Sequence, residues 1–372
     1  MDLQQLRDKI DETDSKILAL FMDRMELCRG VADYKKENNL PVFQGNREQQ
    51  VIDRIKALTG DPELENGTAA LFATIMDISK ILQNRTILEG SPDYLCPPTD
   101  LEKSVKIGCQ GTAGANSETA ARMIFGDRDI TYYRTFEDVF QAVQSGVLDY
   151  GVLPVHNSTA GSVDSTYDLM AKYFVYIVKE VTVEINHCLA AKTALSLTEI
   201  KRVYSHPQAL AQCSEFISEN SLKTAEYGNT ATAAEKVAKS DPSENIAAVC
   251  SVECAEKLGL EIISRDIADV SVNRTKFVCL SRNMQADPEA DTISVMLKIP
   301  HTEGSLYRLL TKFYVNGMNL LRIESRPIKD GSFDVLFYLD FSGKITDPKV
   351  KATLRDLEEN LEYFRILGTF KN

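Results

Sequence analysis

The sequence offers little from which a disulfide framework or a zinc site could be built. It contains eight cysteines and four histidines, and no two cysteines have the CxxC spacing of zinc and redox motifs. Cys250 and Cys254 have the spacing of one helix face, but small buried thiols are common in protein cores. We therefore expect the cysteines to be packing residues, and we expect no metal site.

The sequence also lacks any long apolar run. No segment approaches the roughly 20 apolar residues that cross a bilayer, and the N-terminal MDLQQLRDKI is charged from its second residue. Asp and Glu number 54 against 42 Lys and Arg, which gives a net charge of −12. That charge would repel nucleic acid and anionic membranes. We expect a cytoplasmic protein with neither as a partner.

Proline and glycine are scarce in the first 40 residues, where Gly30 is the one glycine and apolar residues recur at helical spacing. This pattern predicts one long helix from residue 2 to residue 40. Further helices are predicted at about 47–58 and from about 61 to 88. Residues 1–90 therefore form a predicted all-α domain.

Prolines then cluster in the segment 91–103, which is typical of a linker. Residues 104–283 alternate short β-rich runs with helices in two sets, which predicts an α/β domain of two lobes with a cleft. Residues 292–370 follow the order βαββαβ, an α+β pattern. The chain is thus predicted to be multidomain, with three units.

The long helix carries cations at informative spacings. Arg24 and Lys35 are three turns and roughly 16 Å apart on one face, so their side chains could meet one ligand. Arg7 lies about 25 Å further along by the same rise and cannot reach that ligand within its own chain. If all three serve one site, Arg7 comes from an antiparallel partner helix, which predicts a homodimer or higher homo-oligomer.

Further polar residues join this pattern. Arg47 and Glu48 stand at the start of the second helix, and Ser79 and Gln83 share a face of the third. Any single one of these residues could be a solvated surface group. Their combination favours a cationic, hydrogen-bonding site for a small dianion.

Residues 1–90 resemble the all-helical chorismate mutase family through LRDKIDETDSKILALFMDR, the later YKK, NREQQVIDRI and SKILQ. The resemblance implies a rearrangement of chorismate to prephenate that needs no nucleophile or cofactor, since catalysis holds the compact conformer and stabilises developing charge. The catalytic residues it implies are Arg7 of one subunit with Arg24, Lys35, Arg47, Glu48, Ser79 and Gln83 of the other.

The resemblance also implies a role for each residue. The three arginines hold the two carboxylates of chorismate, which suits bidentate guanidinium pairs. Lys35 and Gln83 donate to the ether oxygen that gains negative charge. Glu48 and Ser79 orient the ring hydroxyl and a carboxylate.

The glycine-rich stretch GCQGTAGANSETAA at 108–121 leads into a helix and could hold an anion, or it could be a tight turn. Together with LPVHNSTAGSV, YSHPQALAQC and RTKFVCL it resembles prephenate dehydratase over residues 104–283. The resemblance implies loss of CO₂ and hydroxide from prephenate to give phenylpyruvate, with Thr275 supplying the proton. Its implied substrate-binding residues are His156, Asn157, Ser158, Ser205, Gln212, Lys276 and Phe277.

Two positions depart from the family pattern. Lys276 replaces an arginine and loses the planar fork. His156 replaces a glutamate, and since imidazole titrates near neutral pH it could donate a proton, anchor an anion or mark an inactive site. A catalytically silent binding module therefore remains open. A dehydratase that prefers arogenate is a further alternative, because the residue types do not distinguish arogenate from prephenate. His187 is expected to be structural.

The segments TEGSLYRLL and NLLRIESRP resemble the ACT family of amino-acid-binding domains over residues 292–370. The resemblance implies a phenylalanine site at a subunit interface, and hence an enzyme of phenylalanine biosynthesis under feedback inhibition. A dimerisation module without a ligand is the alternative. The implied binding residues are Gly304, Ser305, Leu306, Glu324, Ser325, Arg326 and Pro327.

Overall fold

The computed structural model describes residues 1–88, 96–99, 101, 105–270, 272–328 and 334–371. The chain forms two compact units. The first combines Met1–Leu95 with Val295–Arg365, and the second combines Cys96–Ser294 with Ile366–Asn372. None of the helices in the described ranges has the length and apolar character to span a membrane.

Three helices form the N-terminal part of the first unit, as the sequence predicts: α1 (Leu3–Glu37), α2 (Gly45–Thr59) and α3 (Glu65–Leu88). A capping box between Asp2 and Gln5 begins α1. The helix α3 packs against both α1 and α2. The residues of α1 that this packing buries, Met25, Ala32 and Lys35, all lie in its second half.

The second unit alternates strands and helices, in agreement with the predicted α/β class. Its elements are β1 (Ile107–Gln110), α4 (Asn116–Phe125), β2 (Ile130–Tyr133), α5 (Phe136–Ser145), β3 (Tyr150–Asn157), β4 (Gly161–Ser162), α6 (Asp164–Lys172), β5 (Tyr176–Glu184), β6 (His187–Ala191), β7 (Arg202–Ser205), α7 (Pro207–Ala211), α8 (Ser214–Glu219), β8 (Thr224–Glu226), α9 (Thr230–Lys239), β9 (Ile246–Ser251), α10 (Val252–Lys257), β10 (Glu261–Ser264) and β11 (Arg274–Ser281).

These strands form two sheets. Within the second unit one has the order β5-β11-β3-β1-β2, with β4 beside β3, and the other has the order β10-β6-β9-β7-β8. Each sheet has its own apolar core, which includes Val152 and Phe277 for the first sheet and Leu189 and Val249 for the second. Each lobe is therefore a separately packed body within the unit.

The C-terminal elements are β12 (Thr292–Lys298), α11 (Ser305–Val315), β13 (Leu320–Pro327), β14 (Val335–Ser342), α12 (Pro348–Asn360) and β15 (Tyr363–Phe370). This is the predicted βαββαβ order. The strands lie in the order β13-β14-β12-β15, and α11 and α12 pack against α3. The sequence predicts that Lys329, Asp330 and Gly331 join the two middle strands of this segment. These residues and most of the linker expected at 91–103 lie outside the described residues.

Candidate active sites

The first unit brings two cations of α1 opposite two polar residues of α3. Arg24 Nη1 donates to Ser79 Oγ at 2.6 Å. Lys35 Nζ donates to Gln83 Oε1 at 3.1 Å and to the carbonyl oxygen of Val42 at 2.8 Å. Lys35, Ser79 and Gln83 are buried. These four predicted residues therefore form one cluster between α1 and α3.

The other residues predicted for this site lie at its margin or away from it. Glu48, in the first turn of α2, accepts a hydrogen bond from Lys80, whose Nζ is 3.1 Å from Oε1. Arg47 is exposed at the start of the same helix. Arg7 is also exposed, in the half of α1 that precedes Met25 and has no buried residue.

The environment of Lys35 shifts its protonation. Burial lowers its pKa below the usual lysine range, although the charge of Glu48 acts in the opposite direction. Such a lysine loses its proton at a lower pH than a solvent-exposed one.

The second unit contains a cavity of about 370 Å³, within the size range of small-molecule sites. It is lined by Asn157, Gln212, Thr275 and Phe277, four of the residues predicted to bind prephenate or act on it. The glycine-rich stretch also reaches it, through residues 110, 111 and 115–117. The predicted anion-binding stretch and the predicted proton donor therefore share one cavity.

A chain of hydrogen bonds connects the polar residues of this cavity. Asn157 Nδ2 donates to Thr275 Oγ1 at 2.8 Å and to Asn273 Oδ1 at 2.7 Å. Gln212 Oε1 accepts from Asn273 Nδ2 at 3.0 Å and lies 3.0 Å from His187 Nε2. Because Thr275 accepts through its oxygen, its own proton remains available for another acceptor.

Lys276 does not line the cavity, contrary to its predicted role. Successive side chains of a strand point to opposite faces of a sheet, and on β11 the cavity face carries Thr275 and Phe277. Lys276 lies on the other face and forms an ion pair with Glu180 of β5.

His156 is likewise absent from the cavity lining. The register of β3 with β11 shifts beside Lys276, so that β3 has a bulge between Pro154 and His156. Pro154 and Asn157, three residues apart, consequently both line the cavity. His156 pairs opposite Lys276 on the other face, so it does not reach the cavity in which it was expected to donate a proton or anchor an anion.

The two serines predicted for this site serve the backbone instead. Ser158 Oγ accepts from the N–H of Arg274 at 2.9 Å. Ser205 is buried, and its Oγ donates to the carbonyl oxygen of Val249 at 2.6 Å. Neither side chain lines the cavity.

Several cavity residues were not predicted as site residues. His187, expected to be structural, is buried in the lining and binds Gln212, and burial lowers its pKa. The sequence carries a signal for Asn229, because an asparagine before an apolar helix is a typical N-cap. His206 and Gln208 belong to the YSHPQALAQC segment but were not predicted as site residues, and Phe136, Ile185, Thr230 and Asn273 line the cavity from outside the quoted segments.

The predicted C-terminal site residues lie on separate elements. Gly304, with a φ of 75°, precedes α11, and Ser305 Oγ is 2.8 Å from Thr302 Oγ1. Leu306 is 37% exposed. Glu324, Ser325, Arg326 and Pro327 belong to β13, at the end of the strand order.

Two segments of the chain match models of known protein families. Residues 6–84 match the family model for chorismate mutase type II, and residues 107–285 match that for prephenate dehydratase. A bifunctional chorismate mutase/prephenate dehydratase of Aquifex aeolicus is 31% identical over 99% of this chain and 98% of its own.

Two further relatives each cover 72% of the chain. An arogenate dehydratase/prephenate dehydratase of Arabidopsis thaliana is 35% identical over 72% of each chain. The solved structure of a prephenate dehydratase of Arthrobacter aurescens in complex with L-Phe is 28% identical, covers 72% of this chain and 90% of its own, and gives a TM-score of 0.66. Since the match to the Aquifex aeolicus protein spans both domains and almost the full length of both chains, this chain belongs to the family of bifunctional chorismate mutase/prephenate dehydratases.

Proposed function

We propose that the cluster between α1 and α3 is the chorismate mutase site of this enzyme of phenylalanine biosynthesis. The observation that carries the proposal is the pairing of Arg24 with Ser79 and of Lys35 with Gln83. These residues place cations and neutral donors side by side in a partly desolvated site, where charge interactions are stronger than in water.

The chemistry of this site is electrostatic. Chorismate carries two carboxylates, and as its C–O bond breaks the ether oxygen gains negative charge. Lys35 donates to that oxygen. Gln83 accepts from Lys35 through its amide oxygen and keeps its amide N–H groups as donors. Preorganised donors of this kind lower the barrier without any covalent intermediate.

The site is completed by a second subunit. The first half of α1 exposes a series of apolar side chains, which a monomer has no reason to present to water: Leu3, Leu6, Ile10, Ile17 and Leu20. An antiparallel α1 of a partner would cover them. It would also bring the partner's Arg7 to the carboxylates held by Arg24 and Arg47.

The cavity of the second unit is the proposed dehydratase site. Prephenate is a dianion, and α4 and α9 both begin with residues that line the cavity, so their N-terminal N–H groups favour its carboxylates. Thr275 donates its proton to the departing ring hydroxyl. The hydrogen bond from Asn157 stabilises the oxygen of Thr275 as that proton leaves.

The C-terminal βαββαβ segment is proposed to be an ACT domain that binds phenylalanine and inhibits the enzyme. The solved relative with bound L-Phe supports this proposal, as does the turn at Gly304, which leads into the N-terminus of α11. A dimerisation module without a ligand would leave the enzyme insensitive to phenylalanine.

One assay of the purified full chain tests both sites and the regulation. Chorismate and prephenate are supplied separately, and phenylpyruvate is measured by its enolate absorbance in base, with and without phenylalanine. We expect product from both substrates and less product when phenylalanine is added. Consumption of chorismate with no turnover of prephenate would contradict the assignment of the cavity in the second unit as the dehydratase site.

The name of the Arabidopsis relative includes arogenate. We propose prephenate as the preferred substrate here, since the chain also carries the mutase that produces it. Turnover of the two substrates side by side checks this, and a higher kcat/KM for arogenate would reverse the assignment.

A further inference from the structure

A second cluster of charged residues lies on α3, beside the mutase site. Asp77 and Lys80, one turn apart, are both buried, and Lys80 Nζ lies 2.9 Å from Asp77 Oδ1. Lys80 also contacts both carboxylate oxygens of Glu48, at 3.1 and 3.2 Å. The predicted mutase residue Glu48 is therefore joined to a buried ion pair on the neighbouring helix.

The same cluster receives a cation from the C-terminal segment. Arg308 of α11 donates to both oxygens of Asp77, at 2.9 and 3.2 Å, and its Nη2 lies 3.5 Å from Glu48 Oε2. All these residues belong to the first compact unit. The Nη2 group of Arg308 therefore contacts two carboxylates at once, that of the buried Asp77 on α3 and that of Glu48 at the predicted mutase site.

The protonation of the cluster supports a fixed arrangement. Burial would raise the pKa of Asp77, but the hydrogen bond from Arg308 and the charge of Lys80 lower it below its usual range. Burial would likewise lower the pKa of Lys80, but Asp77 and Glu48 raise it. Asp77, Lys80 and Arg308 are therefore stabilised in their charged forms and hold one another in place.

We propose that Arg308 is a positioning residue for the mutase reaction, which acts by fixing the carboxylate of Glu48 through the 3.5 Å contact of its guanidinium with Oε2. The proposal rests on the role proposed for Glu48. A free glutamate samples many rotamers, whereas two cations on Oε2 restrict it. Other lone pairs of the carboxylate remain to accept the ring hydroxyl of chorismate.

The test uses Arg308→Gln in the full chain, with Arg54→Gln as the matched control. Arg54 is an exposed arginine of α2, the helix that carries Glu48. We expect mutase kcat to fall about tenfold in Arg308→Gln, because displacement of a catalytic group by a fraction of an ångström is costly. Turnover of prephenate by the same protein should stay within about twofold of the wild type. Arg54→Gln should leave both rates unchanged.

A double variant separates positioning from general loss of structure. If Arg308 acts through Glu48, adding Arg308→Gln to Glu48→Gln should cause no further fall in mutase kcat. Arg308→Lys, which keeps the charge but loses the fork, should recover part of the rate. Independent effects that multiply in the double variant would overturn the proposal.

The remaining outcomes distinguish the two assignments. If the mutase rate of Arg308→Gln is unchanged or increased while Glu48→Gln is impaired, the positioning role of Arg308 is rejected and the role of Glu48 is retained. An unchanged rate in Glu48→Gln would reject the role of Glu48 itself, and with it the positioning proposal.

Discussion

In each proposed active site, one chemical group determines the expected response to substitution or to pH. In the second unit that group is the hydroxyl of Thr275, which accepts from Asn157 and keeps its own proton. In the first unit it is the ammonium group of Lys35, which is buried beside Gln83. Each can be altered without removing the packing around it.

Replacing Thr275 by valine removes the hydroxyl at nearly constant volume. We expect prephenate turnover to fall by about 100-fold to 10,000-fold, the usual contribution of a positioned proton donor, while mutase activity stays unchanged. Thr275→Ser, which keeps a hydroxyl, should be impaired less. The measurement is phenylpyruvate formation under saturating prephenate, and full activity in Thr275→Val would exclude this residue as the donor.

The lowered pKa of Lys35 predicts an alkaline limit for the mutase. Since only the ammonium form donates to the ether oxygen, the rate should fall as pH rises, and should do so below the ordinary lysine pKa of 10.5. The check is the pH profile of mutase kcat/KM for the wild type and for Lys35→Arg, because arginine stays charged. The residual activity of Lys35→Arg should not show this fall at alkaline pH. If both proteins lose activity over the same alkaline range, the loss belongs to another titrating group.

At the scale of elements, the faces of helices were predicted better than the faces of strands. The spacing of Arg24 and Lys35 and of Ser79 and Gln83 follows directly from the helical repeat, and the structure brings these residues together. Successive residues of a strand face opposite ways, so His156 lies on the face opposite Asn157, which pairs with Thr275 at the cavity. The bulge in β3, which brings Pro154 and not Val155 into the cavity lining, leaves no clear mark in a single sequence.

Most of the site contacts that the sequence did not predict join residues that are distant in the chain. Arg308 binds Asp77 across 231 positions, and His187 meets Gln212 only because β6 and the turn after α7 lie at one cavity. No periodicity or motif relates such residues. The sequence therefore identified the elements and their chemistry, but not which elements would meet.

The helix α4 also depends on a charged group that connects it to α10. Glu118 is buried and accepts from the N–H of Gly114 and from Lys257 of α10, at 2.5 and 2.6 Å. Burial would raise its pKa, but these hydrogen bonds and that from Arg122 lower it to about 2. This carboxylate therefore stabilises the fold above its unfolded pKa, and the contribution is lost as pH falls towards 2.

We expect Glu118→Gln to lower the free energy of unfolding by about 2–3 kcal/mol at pH 7, with the difference from wild type shrinking as the pH is lowered to 3. Urea unfolding of the full chain at both pH values measures it. Glu235→Gln is the control, because Glu235 forms an ordinary i,i+4 surface pair with Lys239 worth only a few tenths of a kcal/mol. An equal loss at both pH values would show that the carboxylate charge is not responsible.

At the scale of the whole molecule, the proposed mutase site needs residues from two chains. Arg7→Ala and Arg24→Ala should each abolish activity, yet a mixture that exchanges subunits should recover about one quarter of it, because half the dimers then contain one intact site of two. The measurement is chorismate consumption after exchange. A mixture of Arg24→Ala with Arg47→Ala is the control, since both residues come from the same subunit and no intact site can form. Failure of the first mixture to recover would contradict the shared site.

The first compact unit combines the first and last segments of the chain, so its parts are synthesised at different times. A ribosome adds roughly 5–20 residues per second, so the helices α1–α3 emerge long before α11 and α12 exist. Until the final segment is synthesised, the face of α3 with Asp77 and Lys80 has no arginine from α11 to meet it. The nascent chain therefore carries an incomplete first unit while the second unit is being made, and the mutase site gains its contact with Arg308 only near the end of translation.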